Sequence, residues 1–113
     1  MKRSEDIIIT TTPYIPGYRI KRVVGIVYGM SIRTRGAFGR IVAGIEALVG
    51  GRGSSYLKEL VKARNEAIED LKMNALRMGA DAVVSVDFET SEILEGFIVV
   101  TAYGTGVEIE PET

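Results

Sequence analysis

YRIKRVVGIVYGMSI, residues 18–32, is the stretch that decides the fold. Its even positions hold Tyr18, Ile20, Val24, Ile26, Tyr28 and Met30, with Arg22 the one exception. Its odd positions hold Arg19, Lys21, Val23, Gly25, Val27 and Gly29. An extended chain sends successive side chains to opposite faces, so a period of two over this length reads as a strand or a bent pair of strands with one apolar face. Gly25 and Gly29 share a side, which points to a bend or a close backbone approach there.

Upstream, Asp6 to Thr12 is a β-rich run that stops at Pro13, whose missing N–H ends a ladder. Pro13 to Gly17 reads as a turn, so the first two strands are expected to form a hairpin. Downstream the period changes. Ala37, Phe38, Ile41, Val42, Ile45, Leu48 and Val49 recur every three or four residues, an amphipathic helix of about four turns. Gly50-Gly51 ends it. Ser54 or Ser55 is placed to cap a second helix, with a stripe of Leu57, Leu60, Val61, Ile68, Leu71, Ala75 and Met78 that stops at Gly79. At 1.5 Å per residue this helix is roughly 36 Å long.

Alternation then returns. Ala82, Val84, Val86 and Phe88 are expected on one face and Val83, Ser85, Asp87 and Glu89 on the other, followed by a turn over residues 92–96. Phe97 to Glu110 forms the last strand. Phe97, Val99 and Tyr103 on one side and Ile98, Val100 and Ala102 on the other make its first half apolar on both faces, which demands cover on both sides of the sheet. Two helices adjacent in sequence and joined by a short loop cover one face only. The simplest cover for the other is another subunit. The expected fold is therefore α+β, in the order strand-strand-helix-helix-strand-strand, with a mainly antiparallel sheet and a ring-forming subunit.

All 113 residues fit one domain (1–113). Neither Cys nor His occurs, which excludes a disulfide framework, a thiolate or imidazole metal site, a Cys nucleophile and a His general base. No metal or cofactor is expected. Nothing resembles a signal peptide or a membrane span, so the expected location is the cytoplasm. The net charge is −1, but the charges are segregated. Residues 19–64 carry ten bases against two acids, a net of +8, and residues 65–113 carry eleven acids against two bases, a net of −9. The two halves are expected to meet, within a subunit or between neighbours.

The best local candidate for a ligand site is Gly50-Gly51-Arg52-Gly53-Ser54-Ser55-Tyr56. A glycine-rich loop opening a helix presents free N–H groups and the positive end of the helix dipole to an anion. Arg52 adds a bidentate donor and the serines add hydroxyls. Thr10, Thr11 and Thr12 form a second hydroxyl cluster at a strand end. Carboxylates gather at Asp81, Asp87, Glu89, Glu92 and Glu95, oxygen donors of the kind a hard cation takes, although their spacing matches no calcium loop.

Four blocks together resemble a known family. They are Ile9-Thr10-Thr11-Thr12-Pro13, Val24-Gly25-Ile26-Val27-Tyr28-Gly29, Leu48-Val49-Gly50-Gly51-Arg52 leading to Tyr56, and Met78-Gly79-Ala80-Asp81-Ala82-Val83-Val84-Ser85-Val86-Asp87. With the ending Val100 to Val107 they resemble the YbjQ-like family, small bacterial and archaeal proteins described as heavy-metal-binding domains of unknown function. The resemblance implies an α+β subunit assembling into a ring, a pentamer that could pair into a decamer. The metal label sits badly with this chain, since a soft metal wants thiolate or imidazole. The expected role is a non-enzymatic homo-oligomer holding a small anionic ligand at its subunit interfaces. One alternative is an enzyme on a phosphorylated or carboxylated metabolite, with Arg52 holding the anion and Asp87 or Glu66 as base. The other is nucleic-acid binding through a basic face holding Arg19, Lys21, Arg22, Arg33 and Arg35.

Overall fold

The computed structural model describes residues 2–34, 54–93 and 97–113. A short 3-10 turn (Ser4–Asp6) leads into β1 (Ile8–Ile9), followed by β2 (Tyr18–Thr34), α1 (Ser54–Met78), β3 (Ala82–Ile93) and β4 (Phe97–Pro111). The strands form one mixed sheet in the order β1-β3-β4-β2. The helix expected over residues 37–49 lies outside the described residues, so α1 alone represents the helical layer here.

The expected first hairpin does not form. β1 runs parallel to β3, with Ile8 opposite Ala82, while β2 runs antiparallel to β4 at the far edge. Residues 10–17 bridge the two edges. They span three strand spacings, roughly 14 Å, which eight extended residues cover easily. Burial drives the detour: Ile15 packs on Ala82, Val84 and Val107, residues on the sheet face away from α1.

The stripe of α1 that meets the sheet is Ala63, Ala67, Leu71 and Ala75, all fully buried at four-residue spacing. Of the residues expected in that stripe whose side chains are described, Leu71 and Ala75 are fully buried, and Val61 and Met78 are exposed. The reason is distance. A Cβ on Gly29 would lie 2.6 Å from Leu71 Cα and would overlap Ala67 O and Leu71 N. Gly104 and Gly106 on β4 are crowded by the neighbouring strands instead: a Cβ on either would come within 2.8 Å of Val83 or Val27 respectively. Glycines on the strands and alanines on the helix let two backbones approach as large side chains would not. Gly79 ends α1 at φ +84°, with Gly79 N–H donating to Leu76 O (3.1 Å) and Ala80 N–H to Ala75 O (3.0 Å), a paired C-terminal cap.

Bulges reset the alternation twice. In β2 the register slips at Ile20/Arg22 and again at Val23/Gly25, so Val24 packs toward α1 and Val23 faces away. In β3 the register slips between Val84 and Asp87, where Ser85 sits at φ 55°. The single alternation expected for Ala82 to Phe88 is therefore broken. Val83, Val86 and Phe88 join the core under α1, while Ala82 and Val84 belong to the cluster on the opposite face. One extra residue inverts every side chain beyond it.

Gly29→Ala should lower stability by at least about 2 kcal/mol, because the added methyl meets backbone that cannot yield. Gly79→Ala, which meets nothing within 4 Å, should cost only about 1 kcal/mol for its left-handed backbone. Urea-unfolding midpoints of the two variants test the difference.

Candidate functional site

The face of the sheet turned away from α1 carries the large apolar side chains. Tyr18, Ile20, Val23, Ile26, Tyr28, Met30 and Ile32 of β2 are between 40% and 64% exposed. The bulges at residues 21 and 24 keep this row on one side. Its middle forms one wall of a groove of about 630 Å³. Ile26, Tyr28 and Met30 come from β2, Thr101, Tyr103 and Thr105 from β4, and Ser85 and Glu89 from β3. The register fixes these neighbours, with Tyr28 opposite Tyr103, Met30 opposite Thr101 and Ile26 opposite Thr105. Glu89 is the only charged residue among the described residues of the lining. Sequence alternation picked out most of the row but not the groove, which needs the β3 bulge to bring Ser85 to the same side.

Thr10 and Thr12 lie along the β3 edge beside that bulge. Thr12 O accepts Ser85 N–H at 3.0 Å, and Thr10 O accepts Val86 N–H at 3.0 Å. Thr12 Oγ1 donates its one proton to Tyr14 O (2.6 Å), which makes Thr10 the donor in the 2.8 Å bond between the two hydroxyls. Thr12 N–H in turn donates to Thr10 Oγ1 at 3.1 Å. These two hydroxyls shape the turn that starts the crossing segment, and Thr11 is exposed beside them. Residues 50–53 of the other ligand candidate lie outside the described residues. Ser54, Ser55 and Tyr56 open α1.

The segregated charges meet within the subunit. Arg19 pairs with Glu110, Arg22 with Glu108 (2.9 Å) and Arg33 with Glu66 (2.8 Å). Three of the five residues expected on a basic face are thus neutralised by the acidic half, and Arg35 lies outside the described residues. Both carboxylates considered as a catalytic base are also engaged. Glu66 accepts from Ser31 Oγ (2.8 Å) as well as from Arg33, and Asp87 Oδ1 accepts the Phe88 N–H (2.8 Å). Asp81 accepts the Ile109 N–H at 3.0 Å and pairs with Lys2, tying the start of β3 to β4. Among the described residues no group of three or more acidic side chains converges on a point that could hold a metal ion.

The Arg22 hydrogen bond is the main cause that holds Glu108 below the ordinary carboxylate value of 4.5, and the same bond raises Arg22. A depressed acid stabilises the fold above its unfolded value and loses that contribution as pH falls through the folded one. The gap in unfolding midpoint between wild type and Glu108→Gln should therefore be present at pH 7 and shrink as the pH falls below 4.5, closing once the folded-state carboxylate is protonated.

Comparison with known proteins accords with this architecture. The sequence profile of the YbjQ family, described as "Putative heavy-metal-binding", matches residues 7–110. A UPF0145 protein of Methanocella arvoryzae is 44% identical over 109 residues, 96% of this chain and 91% of the relative. One from Thermotoga maritima is 39% identical over 103 residues, 91% of this chain and 97% of the relative. A crystallised protein of unknown function from Pediococcus pentosaceus, assigned to the DUF74 family, shares the fold at a TM-score of 0.59. It is 23% identical, and the match covers 92% of this chain and 98% of that one. The fold thus places the molecule among small α+β proteins of unknown function. The chain belongs to the YbjQ-like, UPF0145 family.

The family description names heavy metals, yet this chain holds no thiolate or imidazole. Soft and borderline ions prefer those donors to carboxylate. Calorimetric titration with zinc, copper(II) or cadmium should show no submicromolar site.

Proposed function

We propose that this chain works as a non-enzymatic homo-oligomer, in the cytoplasm, in which a neighbouring copy covers the apolar face of β2. The observation that carries the reading is the seven-residue row from Tyr18 to Ile32, exposed in a single chain. Scattered exposed apolar residues are ordinary, but a contiguous row on one strand marks an interaction surface. The radius of gyration supports it: 17.1 Å, against about 13 Å for a compact domain of this length.

The contact uses the face of β2 rather than its free edge. Asn74 Nδ2 donates to Tyr28 O (2.7 Å) and Asp70 Oδ2 accepts the Met30 N–H (2.9 Å). Helix side chains thereby occupy the middle of the edge where a foreign strand would pair. Charge is a weaker argument for a contact between neighbours, because Arg19, Arg22 and Arg33 already pair with the acidic half inside the subunit. Apolar burial takes its place. The proposed form is a closed ring of five subunits or a pair of such rings, the form the family resemblance implies. An anionic ligand at Gly50–Tyr56 belongs to the same proposal, with Arg52 as its main donor. The β2 groove does not suit an anion, because its one charge is the Glu89 carboxylate.

Light scattering or native mass spectrometry on untagged protein should give a mass of five or more subunits at micromolar concentration. Ile26→Asp with Ile32→Asp should reduce it to a monomer that stays folded, since neither side chain packs in the core. A wild-type monomer would refute the assembly.

A further inference from the structure

We infer that the groove on the open face binds a small organic cation bearing an apolar or aromatic body, seated between Tyr28 and Tyr103 with its charge toward Glu89. The inference rests on the proposed assembly in one respect, that a neighbouring copy would close the groove's open side. The groove itself belongs to one chain.

Its chemistry selects the ligand class. Among the described residues the lining contains one carboxylate and no base, which gives this part of the groove a negative potential. Tyr28 and Tyr103 are direct cross-strand partners, and both border the cavity. Aromatic faces attract cations, most strongly where water is excluded. Ile26 and Met30 supply apolar walls for a hydrocarbon body, and the Thr101, Thr105 and Ser85 hydroxyls offer acceptors to N–H groups. A mostly apolar cleft with a few convergent polar groups is the usual form of a small-molecule site.

Ser85 adds an independent observation. It is the one residue other than glycine with positive φ among the described residues, at 55°. Its bulge shifts β3 so that Ser85 and Glu89 both border the groove. Backbone held in a sparsely populated region is characteristic of binding sites. The strain is supported from outside: Thr12 O and Thr10 O accept the N–H groups of Ser85 and Val86. Glu89, by contrast, is exposed, and among the described residues its side chain accepts only a local hydrogen bond from Ser91 Oγ (3.1 Å).

Benzyltrimethylammonium is the probe, with benzyl alcohol and phenylacetate as neutral and anionic controls of similar shape. Each is titrated into the full chain while the tyrosine ring resonances are followed by NMR. The expected result is saturable movement of the Tyr28 and Tyr103 signals, with the cation binding at least about fivefold more tightly than the alcohol and phenylacetate weakest. Glu89→Gln should erase that preference, and Tyr103→Leu should weaken the cation while sparing the fold. Equal affinity for the three probes, no saturation, or an unchanged preference in Glu89→Gln would overturn the assignment. Light scattering on the same samples separates the two readings: a monomer that binds the cation refutes only the assembly, and an oligomer that does not bind it refutes only the cation site.

Discussion

The contact on which the rest of this structure depends is the backbone of Gly29 lying against the Ala67–Leu71 turn of α1. At Gly29 the helix rests so close to β2 that no side chain fits between them. Many of the positions on that face of the sheet are small or slender, Gly29, Ala102, Gly104 and Gly106 beside several valines, with Phe88 the large exception. Close approach makes the core dense but thin. It also exports the large apolar residues of β2 to the opposite face, where no described element covers the row. The packing of one layer thus generates the surface on which the proposed function rests.

Two other devices support that arrangement. The crossing segment 10–17 carries the chain from one edge of the sheet to the other and sets Ile15 over Ala82, Val84 and Val107, so one end of the open face is sealed within the subunit. The bulges in β2 and β3 then sort residues between faces with little regard for simple alternation. Without them Val23 and Val24 would exchange faces, and so would every residue after Ser85. Site and core are therefore set by the same irregularities.

Electrostatics has a secondary part. Three of the ten bases in residues 19–64 pair with the acidic half across the β2–β4 ladder and between β2 and α1, in pairs that are partly exposed and individually weak. What remains charged in the groove is a single carboxylate. That argues against both nucleic acid and an anionic metabolite on this face, and it leaves a heavy-metal role without its usual donors in this chain.

Much was legible in the sequence because it depends on local pattern. Three long elements, from the Tyr18–Ile32 alternation to the helix ending at Gly79 and the doubly apolar last strand, follow from side-chain periodicity and from glycine's tolerance of a helix exit. The need for cover on both faces of the sheet follows from Phe97 to Tyr103 alone. The absence of His and Cys was equally plain, and with it the chemistry it excludes. Tertiary structure decided the rest. Pairing of β1 with β3 rather than β2 turns on where Ile15 can be buried, a contact between residues 67 and more positions apart. Which stripe of α1 faces the sheet was decided by how near Gly29 lets it come, and hydrophobicity alone favoured larger residues. The β3 side of the groove depends on one residue at Ser85 being out of register, and a bulge leaves no periodic mark until its partner strand is in place.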